Sequence, residues 1–219
     1  MQLHADLTQR AVVQSTALDW IPSPMPGVDR RMLDRNGEEV ARATSIVRYA
    51  PESFFSAHSH GGGEEFFVLD GVFSDENGDY SKGMYVRNPV GSRHTPFSKE
   101  GGTIFVKLHQ FDPDDQASVR IDTTCEQWRP GIVDGITVMP LHQFRGESVS
   151  LVNWAAGVVF PEHQHPNGEE ILVLGGQLID EQGCYDEGTW IRNPPGSHHR
   201  PFSEKGCVLY VKTGHLGQQ

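Results

Sequence analysis

The chain has 219 residues, 29 acidic and 18 basic side chains, a net charge of -11 and a pI near 5.4. That balance argues against nucleic acid or an anionic membrane as a partner, because both attract basic surfaces. No run approaches the ~18 apolar residues of a membrane helix, and the N-terminus lacks a charged start followed by an apolar stretch, so a cytoplasmic, globular protein without a signal peptide is expected.

In chain order, residues 5–18 read as either a short helix or an edge strand. Strand signals then dominate, as short β-rich runs at 45–49, 65–69 and 103–107, and again at 149–154, 170–174 and 208–212. Glycines close the second run of each set (Gly71; Gly175 and Gly176). Asp75-Glu76-Asn77-Gly78 and Asp180-Glu181-Gln182-Gly183 are turn clusters. Such spacing predicts an all-β sandwich or barrel. The three cysteines, Cys125, Cys184 and Cys207, are odd in number and lack Cys-x-x-Cys spacing, which fits a reducing compartment and no thiolate metal site.

The runs repeat. Residues 58–107 align without a gap on 163–212, with 25 identities in 50 positions at an offset of 105. Upstream, Trp20 and Trp128 correspond only if a short insertion is allowed. Two homologous domains follow, expected at 1–115 and 116–219, with the boundary in the polar, acidic stretch after residue 110.

Within the repeat lie His58, His60, Glu64 and His94, and again His163, His165, Glu169 and His199. On a strand, side chains at i and i+2 share a face, so each His-x-His pair projects together. A Gly-rich or Pro-Asn-Gly turn then lets the chain reverse and deliver a carboxylate. The last histidine follows a Pro-x-Gly turn and approaches from a neighbouring strand. Three imidazoles and a carboxylate suit a divalent transition metal and suit Mg or Ca poorly, so two metals per chain are expected, catalytic or structural, with the alternative that one copy is metal-free. The donor set by itself admits iron, manganese, nickel, copper or zinc.

Other residues have blander readings. Glu65 and Glu170 face away from the ligands, solvated or salt-bridged. His198 is an outward neighbour of His199. Arg87-Asn88-Pro89 recurs as Arg192-Asn193-Pro194 and holds the turn; in a sharper reading, Arg87 and Arg192 anchor an anionic substrate or orient a ligand carboxylate. Lys107 and Lys212 are expected in solvent. His4, His109, His142 and His215 have no repeat partner and no expected chemistry. Phe66, Phe97 and Phe202 line barrels.

These residues resemble the two cupin motifs. G-x5-H-x-H-x3,4-E-x6-G is met from His58 to Gly71 and from His163 to Gly176, with its leading glycine present as Gly157 in the second copy alone. G-x5-P-x-G-x2-H-x3-N runs from Gly83 and from Gly188, with Ser98 and Ser203 for the final Asn. Among cupins the signatures at 58–73 and 80–98 are most similar to the ChrR-like family. The resemblance implies two tandem jelly-roll barrels and a zinc-binding cupin of the kind that serves in oxidative-stress regulation, which puts zinc ahead of iron, nickel or manganese as the metal. The sigma-binding domain of the name-giving proteins carries Cys-x-x-Cys, whereas residues 1–57 contain no cysteine, so direct sigma-factor binding is not expected. Three functions compete: a metal-binding sensor or regulatory protein, a metal-dependent dioxygenase cleaving a small β-diketone-like carbonyl compound, and a storage or structural bicupin. A small-molecule ligand and assembly into a homo-oligomer are compatible with all three.

Overall fold

The structure is a computed structural model that describes residues 1–217. Strands make up nearly all of the regular structure, and the helical element among the described residues is the 3-10 turn Ser15–Ala17. Among the described residues no helix is long and apolar enough to cross a membrane. The chain divides into two compact units, Met1–Ala5 with Leu18–Glu126, and Asp6–Ala17 with Gln127–Gln219.

In the first unit the main sheet runs Gln2–Leu3, Val28–Gly37, Ala41–Tyr49, Gly102–Leu108, Glu64–Asp75, Met84–Asn88, Val119–Asp122, antiparallel throughout. The long strand Glu64–Asp75 serves two sheets. Its first half pairs with Gly102–Leu108 and Met84–Asn88, and its second half with Gly78–Ser81 and Phe97–Ser98. Alternation along it turns Phe66 and Val68 into a core with Val28, Tyr49, Phe73 and Ile104.

The second unit repeats this order, with Ile136–Phe144, Glu147–Trp154, Cys207–Thr213, Glu169–Asp180 and Thr189–Asn193. Its core holds Ile171, Val173, Leu178 and Leu209 at the positions 105 residues beyond Phe66, Val68, Phe73 and Ile104. Both units are jelly-roll barrels.

One strand of each repeat lies outside that repeat's own barrel. The edge of the second barrel's sheet is Ala11–Gln14, paired to Thr189–Asn193, while Val119–Asp122 closes the first barrel against Met84–Asn88. Ala11 meets Arg192 and Val119 meets Arg87, equivalent partners, so each repeat's leading strand completes the other repeat's barrel. This settles residues 5–18 as a strand followed by a 3-10 turn. The insertion also finds its place. Arg30 pairs with Val47 and Val138 with Val152, so the offset is 108 before the first hairpin and 105 after it. The hairpin of the first repeat, around residues 36–40, is three residues longer.

Candidate metal centres

His58 pairs with His94 across two short antiparallel strands, as His163 pairs with His199. Register alone therefore brings the first and last motif histidines face to face. The Pro89-x-Gly91 turn is strapped to the same place, since Gly91 N donates to the His60 carbonyl at 2.9 Å and His60 N to that of Ser92 at 2.9 Å. Gly63 and Gly168, with φ of 76° and 75°, make the left-handed step that delivers Glu64 and Glu169. Every ligand candidate read from the sequence converges. In each barrel the four ligand atoms lie within 4.8 Å of one another.

The two sets match closely. Glu64 Oε2 is 3.4 Å from His60 Nε2 and 3.6 Å from His94 Nε2; Glu169 Oε2 is 3.4 Å from His165 Nε2 and 3.6 Å from His199 Nε2. His60, Glu64 and His94 are buried, as are their counterparts, while His58 and His163 are half-buried.

The donor chemistry fits a cation. The Nε2 atoms of His60 and His94 are buried with no hydrogen-bond partner. In the second barrel the Nε2 atoms of His165 and His199 face each other at 3.2 Å. Nitrogens gathered round a carboxylate in this way would be left partly unsatisfied without a shared cation. Burial lowers His60 to about 4 and His165 to about 3, so both rings are neutral at pH 7 with a lone pair free. Burial also raises Glu169.

Surrounding groups aim the ligands. Nδ1 of His58 lies 2.9 Å from the Ser56 carbonyl and Nδ1 of His163 3.0 Å from that of Pro161. Nδ1 of His94 lies 3.1 Å from Asp75 Oδ2, and that of His199 3.4 Å from Asp180 Oδ2. Each contact fixes Nδ1–H and leaves Nε2 inward. For His94 burial is the largest single effect and pulls the pKa down, but the Asp75 bond together with the charges of Glu64, Asp75 and Glu76 outweighs it, and the pKa is raised. Asp180, despite burial, is held down to about 2 by bonds from His199, Tyr185 and Gln182. Asn88 and Asn193 donate to Oε2 of Glu64 and Glu169 at 2.8 and 3.0 Å. Each asparagine in turn accepts from an arginine of the exchanged segments: Arg120 Nη2 at 2.7 Å to Asn88, and Arg10 Nε at 3.0 Å to Asn193.

The sequence reading missed Asp75, Asp180, Arg10 and Arg120, and took Asn88 and Asn193 only as turn residues. The aspartates do recur at the 105-residue offset, which was a usable signal. His198 is exposed, 4.0 Å from Glu162, as expected of a non-ligand. Glu65 is salt-bridged and buried, bonded by Arg87 at 2.8 Å and Tyr85 at 3.0 Å. Arg87 also reaches Asp115 and stacks on Phe111, 3.7 Å from its ring centre. It therefore has a structural role rather than holding a substrate or ligand. Arg192 is likewise buried, its Nη2 bonded to the carbonyls of Asp6 and Gln9. Lys107 and Lys212 are not in solvent. Both are buried, one on Thr44 at 3.0 Å and the other on Glu147 at 3.0 Å, because side chains on both faces of these central strands are covered.

A cavity of about 280 Å³ opens on His58, His60 and Glu64 in the first barrel, and one of about 130 Å³ on His163, Glu169 and His199 in the second.

Fold and sites define a bicupin. The sequence matches the ChrR Cupin-like domain twice, over residues 8–112 and 116–217, and the chain belongs to that family. Among curated proteins none matches. Similar solved structures include a Nostoc punctiforme protein provisionally assigned as a dioxygenase (TM-score 0.79, 16% identity, covering 97% of this chain and 85% of that one). Escherichia coli YlbA is similar too (0.74, 16%, 95% and 92%), as is a Bacillus subtilis oxalate decarboxylase variant (0.63, 13%, 93% and 77%). At these identities the likeness is one of fold.

Proposed function

We propose that each barrel binds one divalent transition metal through its three histidines and one glutamate, and that the first barrel is a metal-dependent oxygenase acting on a small β-diketone-like carbonyl compound. The observation that carries this reading is the larger cavity, which opens directly on the His/Glu set and has apolar walls including Val28, Val47, Phe55 and Ile104. A bound iron or comparable metal would supply Lewis acidity and one-electron chemistry with oxygen. The chain's own residues orient the metal-binding groups. Asp75 and the Ser56 carbonyl hold two imidazoles in one tautomer, and Asn88 fixes one oxygen of Glu64. The Nostoc neighbour supports the reading at the level of fold.

The regulatory reading draws support from the family description, and it requires ligand binding without turnover. Oxygen uptake by iron-loaded protein with acetylacetone separates the two. Uptake matched to loss of the diketone supports the oxygenase, whereas binding without consumption under iron, manganese and nickel loading supports the sensor. Elemental analysis of freshly purified protein identifies the metal.

A further inference from the structure

The cavity of the first barrel carries charge that the second lacks. Arg30 and Arg35 both line it. They stand on one strand, five residues apart, and on a regular strand an odd spacing puts side chains on opposite faces. The register shifts between Met32 and Asp34, and this bulge turns both guanidiniums to the same side, a common use of bulges beside functional sites. The second barrel keeps its bulge, between Pro140 and His142, but has Val138 and Gln143 at the equivalent positions. Its cavity is lined by apolar residues and the ligands themselves.

The charge in the first cavity is only half-answered. Arg30 pairs with Glu39 through two contacts, at 3.0 and 3.3 Å, and its buried Nε has no partner. Arg35 is 5% exposed and bonds the backbone carbonyls of Glu38 and Glu39. One carboxylate thus faces two guanidiniums, and that carboxylate is itself 61% exposed. Glu39 comes from the hairpin that is three residues longer in this repeat. Glu64, the other acid lining the cavity, belongs to the candidate metal set; in a chain of net charge -11, two guanidiniums at one cavity, Arg35 buried among them, are a specific feature, and a buried cation short of a carboxylate is costly. The cavity volume lies near the lower end for small-molecule sites, ~300–1,000 Å³.

We propose that the first barrel selects a small oxo acid, its carboxylate held by Arg30 and Arg35 and its carbonyl end turned toward the His58/His60/Glu64 end, with Glu39 occupying the carboxylate position until the ligand displaces it. The inference rests on the oxygenase reading only for the orientation of the carbonyl. Guanidiniums match a carboxylate in planar, two-point geometry.

Calorimetric titration of zinc-loaded protein tests it, with acetoacetate and 4-oxopentanoate set against acetylacetone and hexane-2,5-dione. At least one anion should bind about tenfold or more tighter than its neutral counterpart. That preference should vanish in Arg30→Met and Arg35→Met, checked for unchanged metal content and melting. Glu39→Gln, on an exposed hairpin, should tighten the anion severalfold without affecting the dione. Equal or weaker binding of both anions, or an anion preference that survives both arginine substitutions, overturns the proposal. If Arg35→Met does not fold, Arg30→Met and Glu39→Gln decide it. The two readings fail separately. Anion preference with no oxygen uptake leaves the oxo-acid site standing without the oxygenase, whereas diketone-dependent uptake without anion preference does the reverse.

Discussion

Asn88 donates its amide to Oε2 of Glu64 at 2.8 Å while its own oxygen accepts from Arg120 at 2.7 Å. The ligand glutamate is thereby tied to the strand Val119–Asp122. The second barrel reproduces the chain through Asn193 and Arg10. Metal affinity should therefore depend on a residue that touches no metal. Asn88→Leu is expected to weaken the first site by ~10–100-fold, the usual cost of losing a group that orients a ligand, and Arg120→Met by less. Competition against a chromophoric chelator measures both, and unchanged affinity in Asn88→Leu would show that the tether is idle.

Asp75→Asn keeps the shape but offers His94 Nδ1 an amide that can turn either way. The His94 tautomer is then no longer fixed, so metal should dissociate faster from the first barrel while the second is unaffected. Stopped-flow chelation would resolve a fast and a slow phase of equal amplitude, against one slow phase in the unaltered protein.

His199→Ala should empty the second site, and His198→Ala should leave it occupied. His199 is buried with Nε2 on Glu169 at 3.6 Å, whereas the His198 side chain is 70% exposed. Metal analysis of the two variants checks this, and the reverse pattern would break the 105-residue register.

Metal-free protein should lose stability as pH falls from about 6.5 toward 4. His60 and His165 are held by burial at about 4 and about 3. The unfolded chain therefore takes up their protons first, and stability present above ~6.5 is lost on acidification. His94 and Glu169, both raised, act in the opposite sense, while His163, lowered by burial, adds to the effect of His60 and His165. Melting of chelator-treated protein should be several degrees lower at pH 5 than at pH 7.5. A flat or inverted profile would contradict the burial account.

How much of this was readable beforehand follows from the repeat. Eight candidate ligands stood out because identical spacing occurred twice, and the β-runs at 65–69 and 103–107 became central strands. What stayed hidden was long-range or lacked a repeated signature. Asp75 looked like a turn residue because its second partner, His94, is 19 residues away. Arg10 and Arg120 perform one task from non-equivalent positions. The equivalent of Arg120 is Val12, since these residues pair with Val86 and Ile191, so comparison of the halves could not show it. Lys107 looked solvent-facing because nothing local says that the far side of its strand is covered.

The central claim is that both donor sets hold metal in the native fold. Ligands drawn from separate strands meet only when folded, so saturation should add roughly 4 kcal/mol at a thousand times the dissociation constant. The direct measurement is plasma emission analysis of protein purified without chelator or affinity metal. About two transition-metal equivalents per chain are expected, falling to about one in His60→Ala and in His165→Ala. Well under one equivalent in the unaltered protein, after resupply with zinc, iron, manganese and nickel, would contradict the account.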